Sequence, residues 1–250
     1  MSFVETVVTK GLVIKQTNYG EADRILHIFT EDFGIVSAVA KGARKYKSHQ
    51  GGAAQLLYFS SFTLAGGRDM YSLRGANTIE SFFALSESLE KLALCTYLFD
   101  ITKAFVPEGV PDRKILSLLL NTLYVLCTKP QPLPLVKAAY ELKLLEFSGY
   151  MPSYDRCCIC SKQDGNSCFS LLHGGTVCKN CAQNADMPVL LPAAYMAMKY
   201  ILENDISKIF SFTISSEGEK NLSDICERFL QSCAERDFLS LSYYKSVCEI

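Results

Sequence analysis

LLYFSSFTLAGGRDMYSLR, residues 56–74, holds two short runs of aromatic, aliphatic and hydroxyl side chains around Gly66-Gly67-Arg68-Asp69. Residues 56–64 are predicted as a strand, the Gly-Gly-Arg-Asp segment as a hairpin turn and residues 70–74 as the return strand. Upstream, residues 6–15 are rich in β-branched side chains and lead to the turn signal Asn18-Tyr19-Gly20. Residues 24–30 alternate, with Ile25, His27 and Phe29 on one face and Leu26 and Ile28 on the other. Asp32-Phe33-Gly34 reads as a turn, and residues 35–40 alternate with small side chains. Five short strands separated by turns within residues 1–80 predict a small closed barrel of the OB-fold class. An SH3-like barrel fits the same pattern almost as well.

Past Glu80 the apolar period changes from 2 to 3.6. Leu85, Leu89, Leu92, Thr96 and Phe99 are expected to share one helical face. Pro111 opens a second helix, with Ile115, Leu118, Leu119, Leu123 and Leu126 as its stripe. Residues 129–134, with three prolines, form a stiff linker. The next stripe is Leu135, Ala138, Ala139, Leu142 and Leu145, closed by Gly149 as C-cap and Pro152 beyond it. Pro192 starts a helix expected to reach about Glu203, and Leu222, Ile225, Cys226, Phe229, Leu230 and Cys233 mark another. No internal repeat is visible. The fold class is therefore multidomain α+β: a five-stranded OB-fold barrel, then a helical domain into which a cysteine-rich module is inserted.

The 250 residues are 49% apolar and 20% charged, an ordinary globular balance. The net charge of −1 excludes a uniformly basic protein but conceals a local asymmetry. Residues 33–68 contain no Asp or Glu and five cations: Lys41, Arg44, Lys45, Lys47 and Arg68. The segment after residue 187 is acidic. No signal peptide is visible in residues 1–10, and no uncharged stretch is apolar and long enough to span a membrane. An odd count of 11 cysteines argues against a disulfide framework, so the expected compartment is the reducing cytoplasm.

Cys157-Cys158-Ile159-Cys160 is followed by Cys178-Lys179-Asn180-Cys181. Cys157 and Cys160 pair as C-x2-C with Cys178 and Cys181, a spacing that predicts one structural zinc ion. A C-x2-C turn aims two thiolates at one point while backbone N–H groups stabilise their charge. Four protein ligands leave no open position for water, which is the structural kind of site. Cys158, Cys168 and His173 are reserve ligands. Cys226 and Cys233 lie on an apolar helix face and read as core.

A barrel of this class binds nucleic acid with a basic groove and exposed aromatics. Lys41, Arg44, Lys45 and Lys47 fall in a loop after the third strand, with Arg24, Arg68 and Arg74 in neighbouring strands or turns. These seven are the expected DNA contacts, and Tyr46, Tyr58 and Tyr71 are candidate stacking platforms. The alternative for such a loop is a solvated turn with no ligand, and such aromatics belong more often to the core. No enzyme signature is present: three histidines are scattered, and no phosphate-binding loop, zinc-protease helix or nucleophile elbow occurs. Glu21 and Asp23 in one turn are weak grounds for a metal-dependent nuclease. A zinc-ribbon module that bridges proteins without touching DNA is the other alternative.

Taken together, several motifs resemble the RecO family of bacterial recombinational-repair mediators. The resemblance is carried by Gly149-Tyr150-Met151-Pro152, by Cys157 and Cys160, and by residues 169–181 with Gly174-Gly175 before the second knuckle. At the start it is carried by Thr9-Lys10-Gly11, Tyr19-Gly20-Glu21-Ala22-Asp23-Arg24 and Lys41-Gly42-Ala43-Arg44-Lys45, and near the end by Leu239-Ser240-Leu241. Ser161 stands where the family usually has Gly. The resemblance implies a barrel (1–80), a helical domain in two parts (81–152 and 187–250) and a zinc module (153–186). It implies binding of single- and double-stranded DNA, strand annealing, and recombinase loading onto DNA coated by single-strand-binding protein. It implies RecR and the acidic tail of single-strand-binding protein as partners, and a cytoplasmic, nucleoid-associated protein without enzymatic activity. A phenylalanine-ending acidic tail needs an apolar pocket with a basic rim. Residues 80–149 are the expected place, with Lys91, Lys103, Arg113, Lys114, Lys137 or Lys143 as rim charges.

Overall fold

The computed structural model describes residues 6–44, 52–66, 70–163, 166–182 and 187–248. These form two compact units, Met1–Ser117 with Val247–Ile250, and Leu118–Ser246. The division falls inside a helix rather than at the change of sequence period near Glu80.

The first unit is built on five strands: β1 (Thr6–Tyr19), β2 (Asp23–Thr30), β3 (Gly34–Ala40), β4 (Tyr58–Ala65) and β5 (Tyr71–Ser81). They close into a barrel in the order β1-β2-β3-β5-β4, with β1 pairing back onto β4. All pairings are antiparallel except β3 with β5, joined through Ala38↔Tyr71 and Val39↔Ser72. That topology is the OB type, not the SH3 type. Val13, Leu26, Ile28, Ala38, Phe62 and Leu64 fill the interior, each from the inward face of its strand. β1 runs four residues beyond the predicted Lys15 because its outer half pairs with β2 as far as Tyr19↔Asp23. β5 runs seven beyond Arg74: its polar, exposed second half is held by β4, through pairs ending at Tyr58↔Ser81, rather than by its own weak β propensity.

Gly34 is one glycine the barrel requires. Its φ is +64°, and a Cβ there would lie 2.3 Å from the Val110 carbonyl oxygen. Gly34→Ala combines left-handed strain of about 1–2 kcal/mol with overpacking of about 1–3 kcal/mol. Urea unfolding is expected to show a loss of roughly 2–5 kcal/mol; a loss below about 0.5 kcal/mol, ordinary for a surface change, would show that the Val110 segment simply moves aside.

A short 3-10 turn, Phe83–Glu87, leads into α1 (Leu89–Phe105), capped by the Ser88 hydroxyl accepting from the Lys91 amide. The expected face of α1 is displaced: Leu89 and Thr96 are exposed, while Leu94, Tyr97, Leu98 and Ile101 are buried. The helix is apolar around most of its circumference, so a 3.6-residue stripe can be drawn in more than one phase. In α2 (Arg113–Thr128) the predicted stripe is buried throughout.

In the second unit α3 (Leu133–Phe147) is enclosed on every side, from Leu135 to Leu145, and packs against α4 (Pro192–Glu203) and α5 (Ser216–Ala234). The enclosure includes charges. Lys137 Nζ lies 3.1 Å from both Glu141 and Glu227 carboxylates and 3.1 Å from the Ser223 hydroxyl. Glu227 also receives Lys245 of α6 (Leu239–Cys248) at 2.6 Å. Lys143 is buried too, paired with Glu146 at 2.7 Å and donating to the Leu202 carbonyl. Lys137 and Lys143 therefore cannot be rim charges for an incoming peptide.

Between α3 and α4 the chain forms a hairpin, β6 (Asn166–Ser170) and β7 (Gly175–Cys178). Its outer edges are both occupied. Ser153 donates to Gly174 and accepts from Thr176 on the β7 side. On the β6 side Phe169 donates to Pro188 and Leu190 to Ser167.

Candidate metal centre and nucleic-acid interface

Two knuckles and the hairpin bring four thiols to one place. In the first knuckle the Ser161 amide donates to the Cys157 carbonyl, and the Cys157 amide to Lys162. Ser161 sits at φ +60°, the left-handed conformation that explains why glycine suits this position. In the second, the amides of Cys181 and Ala182 both donate to the Cys178 carbonyl. The ligand atoms of Cys157, Cys160, Cys178 and Cys181 all lie within 4.8 Å of one another, and Cys160 Sγ is 3.7 Å from Cys178 Sγ. A tetrahedron with Zn–S bonds of about 2.3 Å has an edge of about 3.8 Å, so the Cys160–Cys178 pair already matches that ion and the widest separation in the set need close by no more than about 1 Å.

The protonation of the group also suits a metal. Burial pushes the Cys157 thiol up, but the amides of Cys178, Cys160 and Ile159 and the Cys160 thiol outweigh it and bring it down to about 6. Cys181 is held up at about 12, chiefly because its S–H is shared with Cys160 and Cys178. Among the described residues Cys158, Cys168 and His173 do not join the group. Cys158 and Cys168 pack as apolar neighbours of Cys157 and Val177, and burial raises the Cys158 thiol. His173 Nδ1 lies 3.0 Å from the Ser170 hydroxyl.

The candidate nucleic-acid contacts gather at one end of the barrel. The turn after β3 is tied to the β1–β2 turn: the Arg44 amide donates to Ala22, the Gly42 amide to the Asp23 carboxylate at 2.7 Å, and the Arg44 guanidinium to Gly20. Asp23 is thereby committed to shaping the loop, which removes half of the carboxylate pair considered for a nuclease. Arg24 is half-buried and donates to Gln16, whose amide in turn donates to the Ala54 carbonyl. The parallel register Val39↔Ser72 sets Arg74, inside β5, level with Lys41, the first residue past β3. Lys41, Arg44 and Arg74 are exposed. Lys45, Lys47, Arg68 and Tyr46 lie outside the described residues.

The aromatics differ from expectation. Tyr71 is half-buried against Phe33, with ring centroids 6.4 Å apart, and packs on the barrel core; Tyr58 is also half-buried. Tyr19, 54% exposed in the last pair of β1, is better placed for stacking beside Arg44 and Lys41. Its position in the Asn18-Tyr19-Gly20 turn was the available signal.

No helix among the described residues is long and apolar enough to cross a membrane. A family model described as "Recombination protein O N terminal" matches residues 1–82, and one described as "Recombination protein O C terminal" matches residues 86–242. Proteins named DNA repair protein RecO are similar along the chain. The one from Acetivibrio thermocellus is 36% identical over 245 residues, 97% of each chain. The one from Dehalococcoides mccartyi (strain CBDB1) is 35% identical over 212 residues, 84% of this chain and 83% of its own. The one from Caldicellulosiruptor saccharolyticus is 29% identical over 248 residues, 99% of this chain and 100% of its own.

Proposed function

This chain belongs to the RecO family of DNA repair and recombination mediators, and from that premise we propose that it acts by binding DNA through the turn end of its barrel. The observation that carries this reading is the convergence of Arg24, Lys41, Arg44 and Arg74 there, with Lys45 and Lys47 next in sequence and Arg68 in the β4–β5 connection. Cations on loops held by main-chain hydrogen bonds grip phosphates without reading bases, so single and double strands are both substrates. A mediator that holds two complementary strands in this way brings them together for annealing, and one that engages DNA coated by single-strand-binding protein assists recombinase loading. Nothing in that mechanism needs bond chemistry, and the protein works as a binder, not an enzyme.

The four-cysteine group takes one structural Zn2+, which fixes the two knuckles and the hairpin to the helical part. RecR and the acidic tail of single-strand-binding protein are the protein partners. With Lys137 and Lys143 buried, the tail's basic rim falls to Lys91, Arg113 and Lys114, all in the first unit. The place of action is the cytoplasm, at the nucleoid, and the functional division remains barrel 1–80, helical parts 81–152 and 187–250, and zinc module 153–186.

Fluorescent oligonucleotides titrated across a salt series test the DNA reading. Changing Lys41, Arg44, Lys45 and Lys47 together to Ala is expected to weaken binding and to flatten the log Kobs against log salt slope by up to about 3 for a single strand. A folded quadruple variant with unchanged affinity and slope would move the site elsewhere; unchanged repair partners with no DNA binding at all would favour the protein-bridging zinc module.

A further inference from the structure

The outer wall of β1, β2 and β3 carries polar groups that the turn cluster does not use. The antiparallel register sets Lys15 opposite His27 and His27 opposite Ser37, so the three share one row on the outside of the barrel. Lys15 is exposed, and His27 and Ser37 are half-buried, with the Ser37 hydroxyl 3.3 Å from His27 Nδ1. Toward the turn end the next row is Thr17, Ile25 and Val39, and the row after that includes Tyr19 and Asp23. Toward the helices, Lys103 of α1 stands close enough to act on His27, and so does Glu108 beyond it. The wall thus runs from the cationic turns, across Ile25 and Val39, to a second group of cations. At about 3.3 Å per residue, two rows span about 13 Å, which places the two groups on different phosphates of one strand.

We infer that Lys15, His27 and Lys103 form a second phosphate contact, on the barrel wall, for the strand that the turn cluster holds. Ile25 and Val39 between the two contacts offer an apolar floor to a base. The inference rests on the DNA-binding reading and extends it to a site with its own signature.

The signature is a proton. Burial first, then Lys103 and Lys15, hold the His27 ring below the ordinary 6.5, while Glu108 acts the other way. The free ring is therefore neutral at neutral pH. A phosphodiester is permanently anionic and does not titrate near neutrality. Placed between the two lysines it offsets their repulsion and favours the imidazolium. His27 then accepts one proton from solvent as the strand binds, and no other bond changes. Binding must tighten as pH falls from the bound value toward the free value, at most about tenfold per pH unit for one proton.

The test uses the full chain, an oligo(dT) probe and two readouts. Affinity is measured at fixed salt between about pH 7.5 and 5.5 for the native protein, His27→Gln and Lys15→Ala, with circular dichroism confirming the fold. The His27 ring, assigned by the signal missing from His27→Gln, is titrated by NMR with and without the oligonucleotide. Expected are a His27 titration moved upward by DNA, a pH dependence lost in His27→Gln, and a salt slope lowered by about 0.7 in Lys15→Ala. DNA binding that weakens in the turn variant while the His27 titration stays put overturns the inference and leaves the DNA reading standing. No binding by the native protein removes both. A shift produced by an acidic, phenylalanine-ending peptide and not by the oligonucleotide also overturns it, because the row then serves a protein carboxylate.

Discussion

Lys137→Met is expected to destabilise the helical unit by about 3–5 kcal/mol, the scale for removing one partner of a buried pair. The change keeps volume and apolar stem but leaves Glu141 facing Glu227 without the cation between them. Lys245 still reaches Glu227, so the loss of the cation falls mainly on Glu141, which is fully buried. Burial opposes the Lys137 charge, but the Coulombic pull of Glu141 and Glu227 and their hydrogen bonds outweigh it, and the ammonium is held above its usual range. Because the folded value is raised, the network's contribution is complete below about 10.4, the unfolded lysine value, and is lost as pH rises through the folded value. Urea midpoints should therefore show a wide gap between native protein and variant at neutral pH, narrowing in alkali. The double change Lys137→Met with Glu141→Leu should recover most of the loss, since an apolar replacement of the pair leaves no bare charge. A Lys137→Met protein with an unchanged midpoint would mean that water reaches the network.

Cys178→Ser should have the largest effect on the second unit's architecture. Cys178 is buried, carries both amide contacts of the second knuckle and lies 3.7 Å from Cys160. Structural zinc contributes on the order of 10–16 kcal/mol to small modules that fold around it. Losing one thiolate should therefore take metal content from about one per chain toward zero in the presence of a chelator and open residues 153–182 to protease, while the DNA binding proposed for the barrel is left unchanged. The same logic fixes the pH direction for the native site. Cys157 is already a thiolate above about 6, but Cys181 must give up a proton held to about 12. Metal binding releases protons, so retention should fall as the solution is acidified. Stoichiometric zinc in Cys178→Ser protein, measured by elemental analysis, would show that Cys158 or Cys168 can replace it.

The sequence makes some of this molecule plain and hides the rest for identifiable reasons. The thiol set is legible because a C-x2-C turn is local: two residues of backbone decide where both sulfurs point. Pro192 and Gly149 mark helix ends as directly, and the α2 stripe is legible because its opposite face is less apolar. The position of Arg74 beside Lys41 is not legible, since it depends on the parallel β3–β5 register between segments far apart in sequence. Lys137, Glu141 and Lys143 fall outside the Leu135–Leu145 stripe and look like a solvated face, and only the packing of α4 and α5 on α3 turns that face inward. The second half of β5, polar and with little strand propensity of its own, exists because β4 and the barrel closure supply its partners. Tyr71, chosen for stacking, is instead claimed by Phe33 and the core. In the sequence His27 is one residue of an alternating strand, and its neighbours Lys15, Lys103 and Glu108 come from three other segments.

The occupied flanks of the β6–β7 hairpin set how a partner can be recognised there. Both are already bonded, to Ser153 on one side and to Pro188 and Leu190 on the other. An extended peptide finds no free flank to join at the described part of this sheet. A tail docking beside the hairpin must be held by its side chains and terminal carboxylate alone. Its sequence then matters residue by residue, whereas a partner added as an extra strand draws affinity from backbone that any sequence possesses.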